Sequence, residues 1–300
     1  MTQDLKVGVF GLGSMGSGIA ASLLRAGLDT AGFDVAEEAV ARFAAVGGRT
    51  GTLEALAPSL SVAVIVVVNA AQTEDLLFGA SALAGLLPRS AVVLGCATVP
   101  PETARTFEAR LAERGLLYLD APISGGSAKA AEGALTLMAS GAPAAFEAAQ
   151  PVLSAMAAKI FTLGDAAGAG SAMKAVNQML AGIHIAAAAE AMTFGLTQGV
   201  APDRCLEVIT QCAGTSWMFE NRGAHIAAGD YTARSAVDIF VKDLGIVSDI
   251  ARVARFAAPL TATALQQFLA AAGMGLGRED DAAVAKVYAR NAGLRLPGET

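Results

Sequence analysis

The 300-residue sequence predicts a mostly parallel, doubly wound α/β domain over residues 1–164, followed by an all-α domain over residues 165–300. Three observations carry this expectation. β-branched runs alternate with helical stretches through the first half. A glycine-rich turn joins the first strand to the first helix. Strand signals stop beyond Gly164. Strand and helix in alternation imply βαβ units, because parallel neighbours need a crossover and the crossover helices cover both sheet faces.

The predicted strands are 7–10, 30–33, 62–68, 91–94, 116–119, 135–139 and 160–163, with helices between them at 14–26, 37–45, 73–86 and 102–114. The run from Ser61 through Val68 carries no polar alternation, as a strand buried on both faces requires. Residues 165–170 form a Gly/Ala-rich connection with little side-chain bulk. Helical periodicity then dominates at 171–198, 202–212, 237–256, 260–272 and 281–290, with Pro202 suited to a first helical turn after Gly199.

Composition narrows the function classes. Apolar residues make up 54% of the chain and the mean hydropathy is +0.52, so a membrane span has to be tested. The dense run 62–68 is too short to cross a bilayer. The longer segment 171–196 is interrupted by Lys174, Asn177, Gln178, His184 and Glu190, and reads as a buried helix rather than a span. A net charge of −6 argues against nucleic acid or an anionic membrane surface as partner, since both reward basic patches. The N-terminal residues show no charged region followed by a separate apolar stretch, so no secretory signal is expected. Cys96, Cys205 and Cys212 are odd in number and scattered, without disulfide or zinc spacing. A cytoplasmic setting is the expectation.

Gly11-Leu12-Gly13-Ser14-Met15-Gly16 lies between the first predicted strand and helix. This G-x-G-x-x-G spacing suits a dinucleotide: the first glycine permits the tight turn, the second admits a pyrophosphate, and the third lets the helix pack on the strand. The helix N-terminus turns free N–H groups and a positive dipole end toward the phosphates. Asp34 closes the second strand, where a carboxylate accepts from the ribose hydroxyls. Val35, Ala36 and Glu37 follow it and supply no cation for a 2′-phosphate, which favours NAD over NADP. The expected domain is thus a Rossmann domain.

Ligands of open α/β sheets bind beyond the carboxyl ends of the strands. Asn69 and Thr98 stand there as candidate cofactor contacts, with Cys96 as a small buried residue. Ser124, Gly125 and Gly126 present a hydroxyl and unshielded N–H groups, suited either to a carboxylate or to an ordinary turn. Lys174, Asn177 and Gln178 share one face of the helix that follows. Burying an ammonium is costly, and desolvation favours the neutral amine that an acid/base catalyst needs. A lysine whose stem packs and whose ammonium reaches solvent is the plainer alternative. Only His184 and His225 are present, in no metal spacing, and no nucleophile elbow occurs.

Together the glycine fingerprint, the Asp120-Ala121-Pro122-Ile123-Ser124-Gly125-Gly126 segment, the Gly170…Lys174…Asn177 helix and Lys242-Asp243-Leu244 resemble the β-hydroxyacid dehydrogenase family over nearly the whole chain. That family includes 3-hydroxyisobutyrate dehydrogenase and tartronate semialdehyde reductase. Residues 181–191, 216–222 and 238–245 resemble its L-threonate dehydrogenase branch. The resemblance implies Lys174 as the catalytic residue, Ser124, Gly125, Gly126 and Asn177 on the substrate side, and Lys242 near the nicotinamide. It also implies a small hydroxy-acid substrate and a homodimer or homotetramer built through the helical domain. Lys242 read alone also suits a surface pair with Asp238, whereas Ile239, Phe240 and Leu244 around it favour a partly buried, functional site. Asn69-Ala70-Ala71-Gln72 and Gly95-Cys96-Ala97-Thr98 depart from the usual Met/Leu-Pro and Ser-Ser-Thr of the family, toward a more polyhydroxylated acid. An imine reductase on the same fold generally lacks the lysine at position 174. A non-catalytic dinucleotide-binding module is the alternative from a different class.

Overall fold

The computed structural model describes residues 5–298. The chain divides between Lys174 and Ala175 into two compact units. The first begins β1 (Lys6–Phe10), α1 (Ser14–Arg25), β2 (Asp29–Phe33), α2 (Glu37–Ala45), α3 (Leu53–Leu56), β3 (Val62–Ile65), α4 (Ala70–Phe78) and α5 (Leu83–Leu86). It continues with β4 (Val92–Gly95), α6 (Pro101–Ala112), β5 (Leu117–Asp120), β6 (Ile123–Ser124), α7 (Gly126–Glu132), β7 (Leu135–Ala139), α8 (Pro143–Met156) and β8 (Ala157–Thr162).

Five strands form one parallel sheet in the order β2-β1-β3-β4-β5. Side chains alternate across it. Val7, Val9, Val62, Val64, Val92 and Leu94 pack into one core with α1 and α8, whereas Phe10, Ala63, Ile65 and Val93 pack into another with α6. Both faces are therefore dry, which is why these strands read as continuous apolar runs. On α1, Ile19 and Leu23 are fully buried; each contributes roughly 1.5–3 kcal/mol of burial. Gly27, at φ +78°, ends that helix.

A separate three-stranded sheet, β6-β7-β8, departs from the single sheet expected from the sequence. β6 pairs antiparallel with β7, and β7 parallel with β8. The two sheets meet at an isolated antiparallel bridge between Asp120 and Ser140. β6 is two residues long, below what a hydrophobic pattern reveals. The sequence pattern also gives no helix over α8, whose interior holds Pro151. The stretch 73–86, expected as one helix, is broken into α4 and α5 at Gly79.

α9 (Ala169–Thr197) runs from the end of the first unit into the second. By length and hydropathy it is able to cross a membrane. Its Ala181, Ile185, Ala188, Ala189 and Met192 are instead buried in the core of the second unit. That unit continues through α10 (Pro202–Ile209), α11 (Trp217–Ala228), α12 (Val237–Val253), α13 (Pro259–Ala271) and α14 (Ala285–Asn291). Among its described residues, β structure is limited to an isolated bridge between Ala236 and Asp280. The Arg222 guanidinium donates to both carboxylate oxygens of fully buried Asp281, tying α11 to the turn before α14.

The order β2-β1-β3 places a topological switch point between β1 and β3, and the glycine turn sits at its carboxyl edge. Gly11 has φ +95°, and a Cβ there would meet the Val66 carbonyl oxygen at 2.9 Å. A Cβ on Gly16 would stand 1.7 Å from the Gly11 carbonyl oxygen, so α1 can approach the turn only with glycine there. Gly13 differs: a Cβ on it meets nothing within 4 Å. Gly16→Ala is expected to lower the melting temperature or abolish folding. Gly13→Ala is expected to melt as the parent does but to lose dinucleotide affinity, read by NADH fluorescence titration. Parent-like affinity in Gly13→Ala would contradict this use of the open space.

Candidate active site

The turn's open space has an electrostatic complement. α1 has no side-chain cap, so the N–H groups of its first turn stay directed outward. An anion fits both the space above Gly13 and the positive helix end. The Asp34 carboxylate crosslinks this region: Oδ2 accepts from the Leu12 N–H at 2.6 Å and Oδ1 from the Ala36 N–H at 2.8 Å. Each oxygen retains a lone pair for a further donor such as a ribose hydroxyl. The bare backbone at Gly13, the uncapped start of α1 and the Asp34 carboxylate therefore fit the shape and charge of a dinucleotide.

At the carboxyl edge beyond β3, Asn69 caps α4 by accepting from the Gln72 N–H at 2.8 Å, and Gln72 Oε1 accepts from Val68 N–H at 2.8 Å. Thr98, beyond β4, is partly exposed. Cys96 is buried, and that burial, with Asp120 adding to it, pushes its thiol up to about 12. Burial of this kind favours the thiol over the thiolate and accords with a small packed residue.

The start of α9 is built around Asp120. This carboxylate is fully buried at the end of β5. Its Oδ2 accepts from the Gly168 N–H at 2.9 Å, the Ser171 N–H at 2.8 Å and the Ser140 hydroxyl at 3.4 Å. Its Oδ1 accepts from the Ser171 hydroxyl at 2.6 Å. Burial raises the Asp120 carboxyl above its ordinary range, and the donors from Ser171, Gly168 and Ser140 offset only part of that rise. Ser140 Oγ in turn accepts from the Gly170 N–H at 2.9 Å. A Cβ on Gly170 would lie 2.4 Å from the Met138 carbonyl oxygen and 2.5 Å from that of Asp120, so only glycine lets the helix start so close to these strands.

From this anchored first turn Lys174 reaches back to the same segment. Its Nζ donates to the Ile123 carbonyl at 2.8 Å, and the residue is 8% exposed. Ser124, Gly125 and Gly126 come directly after Ile123. Gly125 and Gly126 take φ of +136° and +78°, and a Cβ on Gly126 meets nothing within 4 Å. The loop thus combines a partly exposed serine with accessible backbone beside the lysine's anchor point.

Asn177 and Gln178 follow Lys174 by about one turn of α9, within the second unit. Asn177 Nδ2 donates to Gln178 Oε1 at 2.9 Å, and Gln178 Nε2 donates to Asp243 Oδ2. Lys242 pairs with the other oxygen of Asp243 at 2.8 Å. Asp243, not singled out from the sequence, so links the Lys242-Asp243-Leu244 motif to α9. His225 lies between Asp280 and Arg234, with its Nδ1 2.9 Å from Asp280 Oδ1. Asp120, Ser140 and Ser171 were also absent from the sequence-derived site. A carboxylate closing a strand and a serine opening a helix were the available signals.

Comparison with known proteins accords with this arrangement. Residues 6–164 match the family model described as the NAD-binding domain of 6-phosphogluconate dehydrogenase. Residues 168–288 match the model described as NAD-binding of NADP-dependent 3-hydroxyisobutyrate dehydrogenase. The chain is 52% identical to L-threonate dehydrogenase of Cupriavidus necator over 98% of each chain. It is 46% identical to L-threonate dehydrogenase of Escherichia coli strain K12, over 98% of this chain and 97% of the relative. The crystal structure of 3-hydroxyisobutyrate dehydrogenase from Salmonella typhimurium superposes with a TM-score of 0.90 at 48% identity, over 95% of this chain and 100% of that one. With the glycine turn, the lysine helix and these full-length relatives in agreement, the chain belongs to the 3-hydroxyisobutyrate-type β-hydroxyacid dehydrogenases, as an NAD-dependent enzyme resembling the L-threonate dehydrogenases.

Proposed function

We propose that this enzyme transfers hydride between NAD and a three- or four-carbon hydroxy-carboxylic acid, L-threonate-like, with Lys174 as its acid/base. The observation that carries the reading is the buried Lys174 amine, held at the Ile123 carbonyl directly before the Ser124-Gly125-Gly126 loop. When bound, the dinucleotide supplies the hydride acceptor for oxidation and the donor for reduction. Lys174 takes the proton from the substrate hydroxyl as the carbonyl forms, and returns it in the reverse direction. Ser124 and the backbone of Gly125 and Gly126 hold the carboxylate. Asn177 and Gln178 orient the hydroxyl and carboxylate from the same helix face as Lys174. Asn69, Thr98 and Lys242 belong to the cofactor side. The relatives named above support L-threonate, as does the departure at residues 69–72 toward polar side chains.

Three further assignments complete the reading. Asp34 selects NAD, because its carboxylate, fixed by two backbone N–H groups, repels a 2′-phosphate. The residues after 164 serve as the substrate and oligomerisation domain. The chain works in the cytoplasm as a homodimer or homotetramer, with exposed Leu180 and Phe194 on α9 and Trp217 on α11 offering apolar side chains for the contact.

Activity is tested by NADH formation at mildly alkaline pH with L-threonate, D-threonate, D-glycerate and 3-hydroxyisobutyrate, and by NADH consumption with tartronate semialdehyde. L-Threonate should turn over fastest and its methyl ester should not bind. A faster second acid would replace the substrate, and a tightly bound ester would remove the anion role of the loop. Lys174→Ala should lower kcat by roughly 10²–10⁴-fold with NADH affinity retained; lost affinity instead would make Lys174 structural. Asp34→Asn should shrink the NAD-over-NADP preference by about tenfold or more, and unchanged discrimination would reject its role. Sedimentation should show an oligomer that Leu180→Lys with Phe194→Lys dissociates; a monomeric parent would refute the assembly.

A further inference from the structure

We infer that Asp120 is the positioning residue of the acid/base: by fixing the first turn of α9 on the end of β5, it sets where the Lys174 amine lies relative to the Ser124-Gly125-Gly126 loop. This rests on the reading of Lys174 as the acid/base. Asp120 touches neither substrate nor cofactor in that reading and acts through the lysine.

Two contacts define the geometry. Asp120 holds the start of α9 at Gly168 and Ser171, and Ile123, three residues further along the chain at the start of β6, receives the Lys174 Nζ. Ser171 and Lys174 are about one helical turn apart. The segment from Asp120 to Ile123 and the turn from Ser171 to Lys174 therefore form a closed frame, pinned at both ends. If the first pin is lost, the first turn of α9 keeps only the Gly170 N–H bond to Ser140 Oγ at this end, and a shift of that turn moves the amine off its carbonyl.

The chemistry of the first pin is specific. Oδ2 collects two backbone N–H groups that a helix start would otherwise leave unpaired, and the carboxylate charge faces the positive end of a 29-residue helix. Removing the carboxylate alone would strand these donors and cost stability, so the positioning role is read from kcat of folded protein rather than from stability. What the carboxylate gives is one fixed register. Gly170, which admits the helix onto the carbonyls of Met138 and Asp120, serves the same end.

Asp120→Asn keeps an oxygen for the two backbone N–H groups and an amide that Ser171 Oγ can accept from. It should remain within about tenfold of the parent in kcat. Asp120→Ala removes every acceptor and should lower kcat about 10²-fold through misplacement, with KM for NAD within about threefold. The decisive arm is the double variant. If Asp120 acts through Lys174, Asp120→Ala costs nothing further in a Lys174→Ala background. Should Asp120→Ala fail to fold, Ser171→Ala, which removes a single donor, replaces it in the same cycle with a smaller loss. A folded Asp120→Ala with parental kcat overturns the proposal, as do losses that multiply in the double variant. Failure of the Lys174 reading is separately visible as parental turnover in Lys174→Ala alone.

Discussion

A buried carboxylate must be met by donors or give up its charge. Asp120 is fully buried, and the donors that meet it come from the beginning of α9 and from Ser140 on the neighbouring strand segment. Much of the first unit's end follows from this requirement. The backbone bridge between Asp120 and Ser140 joins the two sheets. The helix that starts on them must begin with small residues, because the strands' carbonyls leave no room for a Cβ at Gly170. Lys174 is then delivered to Ile123 by helical geometry rather than by any local feature of its own.

The dinucleotide end obeys a similar logic with a different donor set. Asp34 at the close of β2 bonds the Leu12 N–H inside the glycine turn and the Ala36 N–H beyond it. A single carboxylate so locks the turn after β1 to the strand beside it, and it does so at the switch point where β1 lies between β2 and β3. Gly13 is left as the position where the backbone is bare and unopposed. Both carboxylates thus organise backbone N–H groups near a helix N-terminus. Asp34 leaves α1 uncapped for an anion, and Asp120 closes α9.

The sequence was legible where function imposes a spacing. Gly11, Gly13 and Gly16 are read at sight because two steric demands, at Gly11 and Gly16, and one bare position between them, at Gly13, fall within six residues. The alternation of strands and helices in the first unit and their absence in the second are likewise visible, since burial on two faces writes continuous apolar runs. The clamp on α9 was not legible, because Asp120 and Ser171 are separated by 51 residues and neither is unusual in its local setting. The sequence offers Lys242 a helical partner four residues earlier, and the structure places it on its neighbour Asp243, which Gln178 also holds. Helix α8 was hidden by Pro151 and β6 by its length of two residues. The missing information is thus a tertiary contact, a segment too short to show periodicity, or a helix whose interior proline reads as a break.

The central claim is that Lys174 moves the proton while hydride passes between a small hydroxy acid and NAD. Single-turnover NADH formation after mixing enzyme and NAD with L-threonate tests it most directly, in the parent and in Lys174→Ala, with both ligands shown to be bound. The account requires a fast burst in the parent, slowed by deuterium at one carbinol carbon, and a burst slower by orders of magnitude in the variant. A variant burst as fast as the parent's, or bound ligands that yield no NADH in either protein, would contradict it.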